Sequence, residues 1–289
     1  MTSTHRNTLL AALAASAFVS AASAQFTYDF NVSQADFNSK FTTPSTNFET
    51  SWVNGTTATN GVGASGSGYL ATSSSDQTAY WGSSIGQLTG SGQTVWTSTY
   101  FKAGIAASSN GSSNMRVGFQ LDNTSQLGTG TYAFATVSTL ANDGTNATQQ
   151  ALQVGYRNGG TLATNNDTNF GVLTNNNWYQ LRLDLTSSSS TSISATVSLY
   201  DWGTNGVTGG TLVDSFTTSL TGSVGGNMST MFNADLWAGF LAKSTNGSGA
   251  RAFQVDNFSA SAIPEPSAFA ALAGLGAIGL AATRRRRRA

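Results

Sequence analysis

The chain lacks the side chains that most hydrolytic enzymes use. It has no cysteine, and its single histidine, His5, lies close to the N-terminus. Residues beyond His5 therefore form neither a Ser-His-Asp triad nor a Cys-His nucleophile, and they lack the usual transition-metal ligands. Between residues 25 and 262 the one glutamate is Glu49, whereas glycoside hydrolysis needs a pair of carboxylates. We expect a protein that is not an enzyme, with a convergent aspartate pair as the alternative.

Charge is also scarce, at 9% of residues. Residues 25–262 carry 7 lysines and arginines against 12 aspartates and glutamates, which leaves a net charge of −5. Five arginines at the C-terminus bring the whole chain back to zero. An acidic body without a basic stripe predicts no nucleic-acid binding.

The N-terminus has the pattern of a secretory signal peptide. His5 and Arg6 precede an apolar run from Leu9 to Ala22, and Ala22-Ser23-Ala24 supplies the small-x-small pattern before Gln25. This pattern predicts an N-terminal signal helix over residues 1–24 that is cleaved between Ala24 and Gln25. An uncleaved signal anchor is the alternative.

Two of the three prolines of the chain lie in its last 27 residues. Pro264, Glu265 and Pro266 form an extended segment that cannot continue a strand or helix. An apolar run from Ala268 to Ala282 predicts a short transmembrane-like helix. A cytoplasmic stop signal follows it, formed by Arg284, Arg285, Arg286, Arg287 and Arg288. A plain C-terminal anchor and a basic localisation patch are the alternatives.

This order of parts over residues 263–289 resembles the PEP-CTERM sorting signal of Gram-negative bacteria. The resemblance implies that an exosortase, a membrane cysteine transpeptidase, acts near Pro264, Glu265 and Pro266. It also implies transient anchoring in the inner membrane, followed by delivery to the cell envelope or extracellular matrix.

The body, residues 25–262, has the patterning of an all-β domain. Apolar residues alternate with polar ones in several runs, and turn pairs such as Asn205-Gly206 separate these runs. From Ile193 to Leu199 the apolar residues point inward and serine or threonine outward. No sustained helical stripe is present, so we predict one antiparallel β-sandwich.

Three stretches carry a further resemblance: Asn177–Leu185, Ile193–Trp202 and Phe253–Phe258. They resemble concanavalin A-like (laminin G-like) jelly rolls, especially those of PEP-CTERM proteins. That fold hosts lectins, glucanases and adhesive modules, so it does not select a function by itself.

Trp52, Trp81 and Trp202 lie beside Gly, Asn or Ser and are candidates for stacking on sugars, with packing as the alternative. Trp96, Trp178 and Trp237 lie in strand-like runs and are expected in or beside the core. Loop aspartates leave calcium possible, without assigned ligands, and no other cofactor is expected. Two function classes follow: a structural or adhesive protein of the envelope and its exopolysaccharide, or a carbohydrate-binding module.

Overall fold

Two stacked antiparallel sheets make up the part of the chain that the structure describes. The computed structural model describes residues 25–30, 34–43, 51–53, 62, 69–71, 77–103, 113–139, 150–158, 162–167, 173–174, 176–189, 191–207, 209–220, 228–244 and 253–263. The predicted signal helix at residues 1–24 and the predicted transmembrane-like helix at 268–282 lie outside these ranges. Within the ranges, no helix is both long and apolar enough to cross a membrane.

The described elements are fifteen strands, one α-helix and one turn of 3-10 helix. In chain order they are β1 (Gln25–Tyr28), α1 (Gln34–Lys40), β2 (Phe41–Thr42), β3 (Ser51–Val53), β4 (Tyr69–Ala71), β5 (Gln77–Trp81), β6 (Thr94–Ala103), β7 (Ser113–Gln120), β8 (Thr131–Thr139), β9 (Gln150–Asn158), β10 (Ala163–Asp167), β11 (Trp178–Ser189), β12 (Ser192–Asp201), β13 (Thr211–Ser219), the 3-10 turn (Met228–Met231), β14 (Trp237–Ser244) and β15 (Phe253–Ile263).

The strands divide between an eight-stranded and a seven-stranded sheet. The first has the order β13-β12-β11-β6-β15-β4-β3, and β1 also pairs with β15. The second has the order β10-β9-β8-β7-β14-β5-β2. All of these strand pairs are antiparallel, so the predicted all-β antiparallel sandwich is confirmed.

The core lies between the two sheets and follows the period-two pattern of the strands. β11 contributes Leu181, Leu183 and Leu185, all fully buried, and β12 contributes alternate residues from Ile193 to Leu199. The opposite sheet contributes residues such as Val117 and Phe119. Because successive side chains of a strand point to opposite faces, the inward phase predicted for β12 is confirmed.

The opposite phase of β12 faces away from the core but is partly covered. The Thr196 hydroxyl shares a hydrogen bond of 2.8 Å with Thr217, and the Ser198 hydroxyl shares one of 2.9 Å with Ser215. Ser198 is only 7% exposed. On the outer face of the eight-stranded sheet, β12 and β13 therefore present serine and threonine hydroxyls that bond to one another.

The short helix α1 closes one end of the sandwich with an aromatic cluster. Its Phe37 ring stacks on Phe41 with the centroids 4.6 Å apart, and both rings are buried. The Asp36 carboxylate, in the first turn, accepts a hydrogen bond of 2.9 Å from the Tyr28 hydroxyl. The sequence pattern did not predict this helix, since seven residues are too few for a sustained apolar stripe.

Candidate functional site

The structure places the three candidate sugar-stacking tryptophans in different surroundings. Trp52 lies in β3, and its side chain is outside the described part of the chain. The Trp81 ring stacks on Phe26 at 4.1 Å and meets the Phe41 ring edge-on, so packing against the core accounts for its position. Trp202 directly follows β12 and is half-buried. A ligand role at these three positions stays a prediction, and the surroundings favour Trp202.

The other predicted site residues lie outside the described ranges. They comprise the signal cleavage residues Ala22 and Ala24, the predicted processing residues Pro264, Glu265 and Pro266, and the arginines from Arg284 to Arg288.

Strand register brings Trp202 into line with three other residues on the outer face of the eight-stranded sheet. Gln254 of β15 is opposite Lys102 of β6, and Lys102 is opposite Trp178 of β11. The backbone N–H of Trp202 donates a hydrogen bond of 2.8 Å to the backbone carbonyl of Trp178. Residues directly opposite one another in an antiparallel ladder share a face. We call these four residues, Gln254, Lys102, Trp178 and Trp202, the Lys102 row.

The sequence neighbours of the row confirm which way it faces. Phe101, Tyr179 and Val255 are the strand neighbours of Lys102, Trp178 and Gln254, and all three belong to the core between the sheets. Since adjacent strand residues point to opposite faces, the row points away from that core. Trp178 is nevertheless fully buried. The sequence predicts Trp178 in or beside the core, but the structure buries it on the outer face, because its strand neighbour Tyr179 takes the inward phase.

Three polar atoms of the Lys102 row have no hydrogen-bond partner among the residues that the structure describes. They are Nε1 of Trp178, Nε1 of Trp202 and Oε1 of Gln254, and each is shielded from solvent. A buried polar group without a partner costs about 1–3 kcal/mol, so folded proteins leave few of them. Three in one cross-strand row are a sizeable local cost of this fold.

Lys102 places a cation in the middle of the same row. Its Nζ lies 5.8 Å from the centre of the Trp178 ring, and burial lowers the pKa of its ammonium group. A cation over an aromatic face is stabilised by the ring, which partly offsets the loss of water around the ammonium.

Close backbone approach holds Trp202 in place. Its ring packs against Tyr100, with the centroids 5.4 Å apart and the planes tilted by 47°. A Cβ on Gly210 would lie 2.5 Å from Cε2 of Trp202, so a larger residue there would displace the indole. Tyr100 is also half-buried, and burial raises its pKa to about 12. Trp202 and Tyr100 together form a partly exposed aromatic surface.

A buried carboxylate lies opposite Tyr100 in the register. Asp256 is fully buried, and its side chain accepts hydrogen bonds from the N–H groups of Phe30 at 3.3 Å, Val62 at 2.8 Å and Asn257 at 2.8 Å. Burial raises its pKa to about 6, against the lowering effect of these hydrogen bonds and with a smaller raising effect from the negative charge of Asp29. Asp256 thus joins three separate segments beside the Lys102 row.

Further along the same face an ion pair lies over another aromatic ring, that of Trp96. The Arg182 guanidinium donates to both carboxylate oxygens of Asp184, at 2.6 and 2.8 Å. It also lies 4.4 Å from the centre of the half-buried Trp96 ring. Arg182 and Asp184 thus neutralise each other's charge.

The described residues offer no metal-binding cluster. Within the ranges that the structure covers, no three His, Cys, Asp or Glu side chains lie together in a way that could hold a metal ion. Asp256 faces backbone donors rather than oxygen ligands. Calcium, which the sequence leaves possible without assigned ligands, therefore stays a prediction.

The solved structures that resemble this chain include several lectins. Lectin II from Ulex europaeus is 12% identical with a TM-score of 0.46, and the match covers 82% of this chain and 97% of the lectin. The legume lectin-like domain from Entamoeba histolytica is 7% identical with a TM-score of 0.45, covering 81% and 94%. Arcelin-5, a lectin-like defence protein from Phaseolus vulgaris, is 11% identical with a TM-score of 0.45, covering 83% and 98%. Similarity this distant carries no argument about ligands.

The C-terminus gives the more specific match. No curated protein matches the chain in a sequence comparison. Residues 262–287 match the family model of the PEP-CTERM protein-sorting motif, which confirms the resemblance seen in the sequence. This motif implies recognition by an exosortase and marks an exported protein that is anchored in the membrane before processing. The chain therefore carries a PEP-CTERM sorting segment directly after an antiparallel β-sandwich.

Proposed function

We propose that the mature protein is a non-catalytic, adhesive component of the cell envelope and its exopolysaccharide matrix. In this proposal the outer face of the eight-stranded sheet contacts the polysaccharide. The sorting motif supports delivery to the envelope. The lack of histidine and cysteine in residues 25–262 supports binding without turnover.

The observation that carries the contact surface is the aromatic pair Trp202 and Tyr100 on a hydroxyl-rich sheet. Both rings are half-buried, so each is held by packing while part of it faces solvent. Aromatic rings give large contact area at low entropic cost, and nearby polar groups orient a ligand. Around the pair lie the polar side chains of Gln180 and Lys102. This combination suits a sugar chain, which has both apolar ring faces and hydroxyls.

The test is retention of the mature protein, purified from its native envelope, on insoluble polysaccharides. We expect Trp202→Ala to weaken retention by about tenfold, since an aromatic contact together with its buried area is worth about 1–2 kcal/mol. The matched control is Trp237→Ala, because Trp237 is a half-buried tryptophan on the outer face of the other sheet. The control should retain the wild-type affinity.

Three results would contradict the proposal or part of it. Equal losses in both variants would show that the contact surface is elsewhere. Absence of retention on every polysaccharide would favour a purely structural role. Sugar fragments released above the level of a heat-denatured control would contradict the non-catalytic part of the proposal.

A further inference from the structure

We propose that the Lys102 row binds the carboxylate of an acidic sugar, so that the polysaccharide recognised is a uronic acid polymer. This inference rests on the proposed function and adds the chemical class of the ligand. The four side chains of the row offer two indole N–H donors, one ammonium and one amide oxygen. An anion next to a hydroxyl matches this set, because the donors favour the anion and Gln254 Oε1 accepts from the hydroxyl.

Charge distinguishes an acidic sugar from a neutral one at this place. Among the described residues, the carboxylates nearest in register to Lys102 are already engaged. Asp256 accepts three backbone N–H groups, and Asp201 accepts from the Asn177 amide and the Gly203 N–H. Asp184 is paired with Arg182. Within this part of the chain, Lys102 therefore has no ion-pair partner, and a ligand carboxylate supplies one.

The unpaired atoms give a second, independent reason to expect an occupant. Trp178 is fully buried, and its Nε1 has no hydrogen-bond partner in the described part of the chain. The indole N–H only donates, so water or a ligand oxygen is what satisfies it. Trp202 is half-buried, but its Nε1 is likewise shielded and lacks a partner among the described residues. Two unsatisfied donors in the row that also holds the Lys102 ammonium, which lies 5.8 Å from the Trp178 ring, mark a site for an acceptor with negative charge.

Access to the site comes through its half-exposed members. Lys102, Trp202 and Gln254 are each half-buried, whereas Nε1 of Trp202 and Oε1 of Gln254 are shielded from solvent. A bound carboxylate therefore meets the Lys102 ammonium first and reaches the indole N–H groups as the flexible lysine and the edge of Trp202 shift. Tyr100 and Trp202 supply the apolar surface for the sugar ring.

The negative net charge of residues 25–262 opposes binding of an acidic polymer. Residues 25–262 have a net charge of −5, so nonspecific attraction does not bring an acidic polymer to this domain. Binding of such a polymer requires a local site. Loss of one correctly placed cation then has a large effect, whereas loss of a distant one has little.

The experiment uses the mature protein labelled with ¹⁵N at tryptophan, titrated with galacturonate oligomers and with galactose oligomers of the same length. The six tryptophans give six indole N–H signals to follow. We expect acidic oligomers to shift the signals of Trp178 and Trp202, assigned with Trp→Phe variants, and to bind about tenfold more tightly than the neutral ones. Lys102→Met should remove this preference. The control Lys40→Met also removes a cation, an exposed one at the end of α1, and should keep the preference.

The outcomes separate this inference from the proposed function. Equal binding of both oligomers, with Lys102→Met behaving as Lys40→Met, overturns the acidic-sugar inference and leaves polysaccharide binding intact. Absence of binding by either oligomer, together with no retention on any polysaccharide, overturns both. Shifts of the same two signals by inorganic phosphate but not by galacturonate would show a general anion site and also contradict the inference.

Discussion

The buried carboxylate of Asp256 makes the stability of this domain depend on pH in an unusual direction. Its pKa is raised from the ordinary 3.8 to about 6 in the fold, mainly by burial. Because the folded pKa lies above the unfolded one, the folded state binds the proton more tightly. The stabilising contribution is complete below about pH 3.8 and is lost as the pH rises through 6.

The magnitude follows from the two pKa values. A difference of about two pKa units corresponds to about 3 kcal/mol between the fully protonated and fully ionised limits. Between pH 4.5 and pH 7.5, titration of this one group lowers the free energy of unfolding by about 2 kcal/mol. Asp122 acts outside this window. Burial tends to raise its pKa, but hydrogen bonds from Ser125, Thr124 and Gln120 lower it overall, below its ordinary value.

The assay compares wild type with Asp256→Asn by urea unfolding at pH 4.5, 6.0 and 7.5. The variant stays neutral and lacks one acceptor for the three N–H groups, so we expect it to be about 1–3 kcal/mol less stable at low pH. The difference in free energy of unfolding between the two proteins should narrow by about 2 kcal/mol toward pH 7.5, because only the wild-type side chain ionises. Parallel curves, or a gap that widens with pH, would refute the reasoning.

Three further changes test the fold and the sorting segment. Val197→Asp should unfold the domain, because it puts an unpaired charge in the core, whereas Thr196→Asp on the outer face should cost under about 1 kcal/mol by circular dichroism melts. Gly118→Ala should lower the free energy of unfolding by about 1–3 kcal/mol, since the added Cβ would lie 2.4 Å from the Ala133 carbonyl oxygen. The control Thr164→Ala, at an exposed position, should change the free energy of unfolding by no more than about 0.5 kcal/mol. Removing residues 264–289 should leave the melting temperature unchanged but alter localisation in cell fractions, and unchanged localisation would contradict the sorting role.

The strands that the sequence predicts are those with one apolar and one polar face. β11 and β12 are of this kind, because their inward residues are leucine, isoleucine, valine and alanine. This pattern does not identify β6, because its inward residues include Thr97 and Thr99, which are polar and fully buried. Their hydroxyls donate to the Ser259 and Asp256 carbonyls, at 3.3 and 3.2 Å. Buried polar residues with backbone partners look like surface residues in a sequence.

The pattern does not identify β8 either, because this strand has apolar residues on both faces. Its inward residues join the main core, whereas Tyr132 and Phe134 form a second buried cluster on the outer face with Leu127. Phe134 lies over Gly155, where a Cβ would be 2.5 Å from the ring. A strand that is apolar on both faces carries no period-two signal.

The candidate site could be predicted only in part. The sequence places Trp202 on the polar phase of β12, and its contact with Tyr100 confirms that phase. Trp178 lies on the opposite phase from Tyr179, Leu181 and Leu183, and this signal identifies it as an outer-face residue. The alignment of Lys102 and Gln254 with Trp178 depends on strand order, which no local pattern encodes.

The position of β15 sets the timing of assembly. This strand is hydrogen-bonded to β6, β4 and β1, so it joins the first described strand of the chain to the middle of the sheet. It ends at Ile263, directly before Pro264. The eight-stranded sheet is therefore completed only after the chain up to residue 263 has been exported. A transpeptidase that acts at Pro264–Pro266 meets a finished domain, whereas a cut before residue 253 would leave β1 without its partner strand.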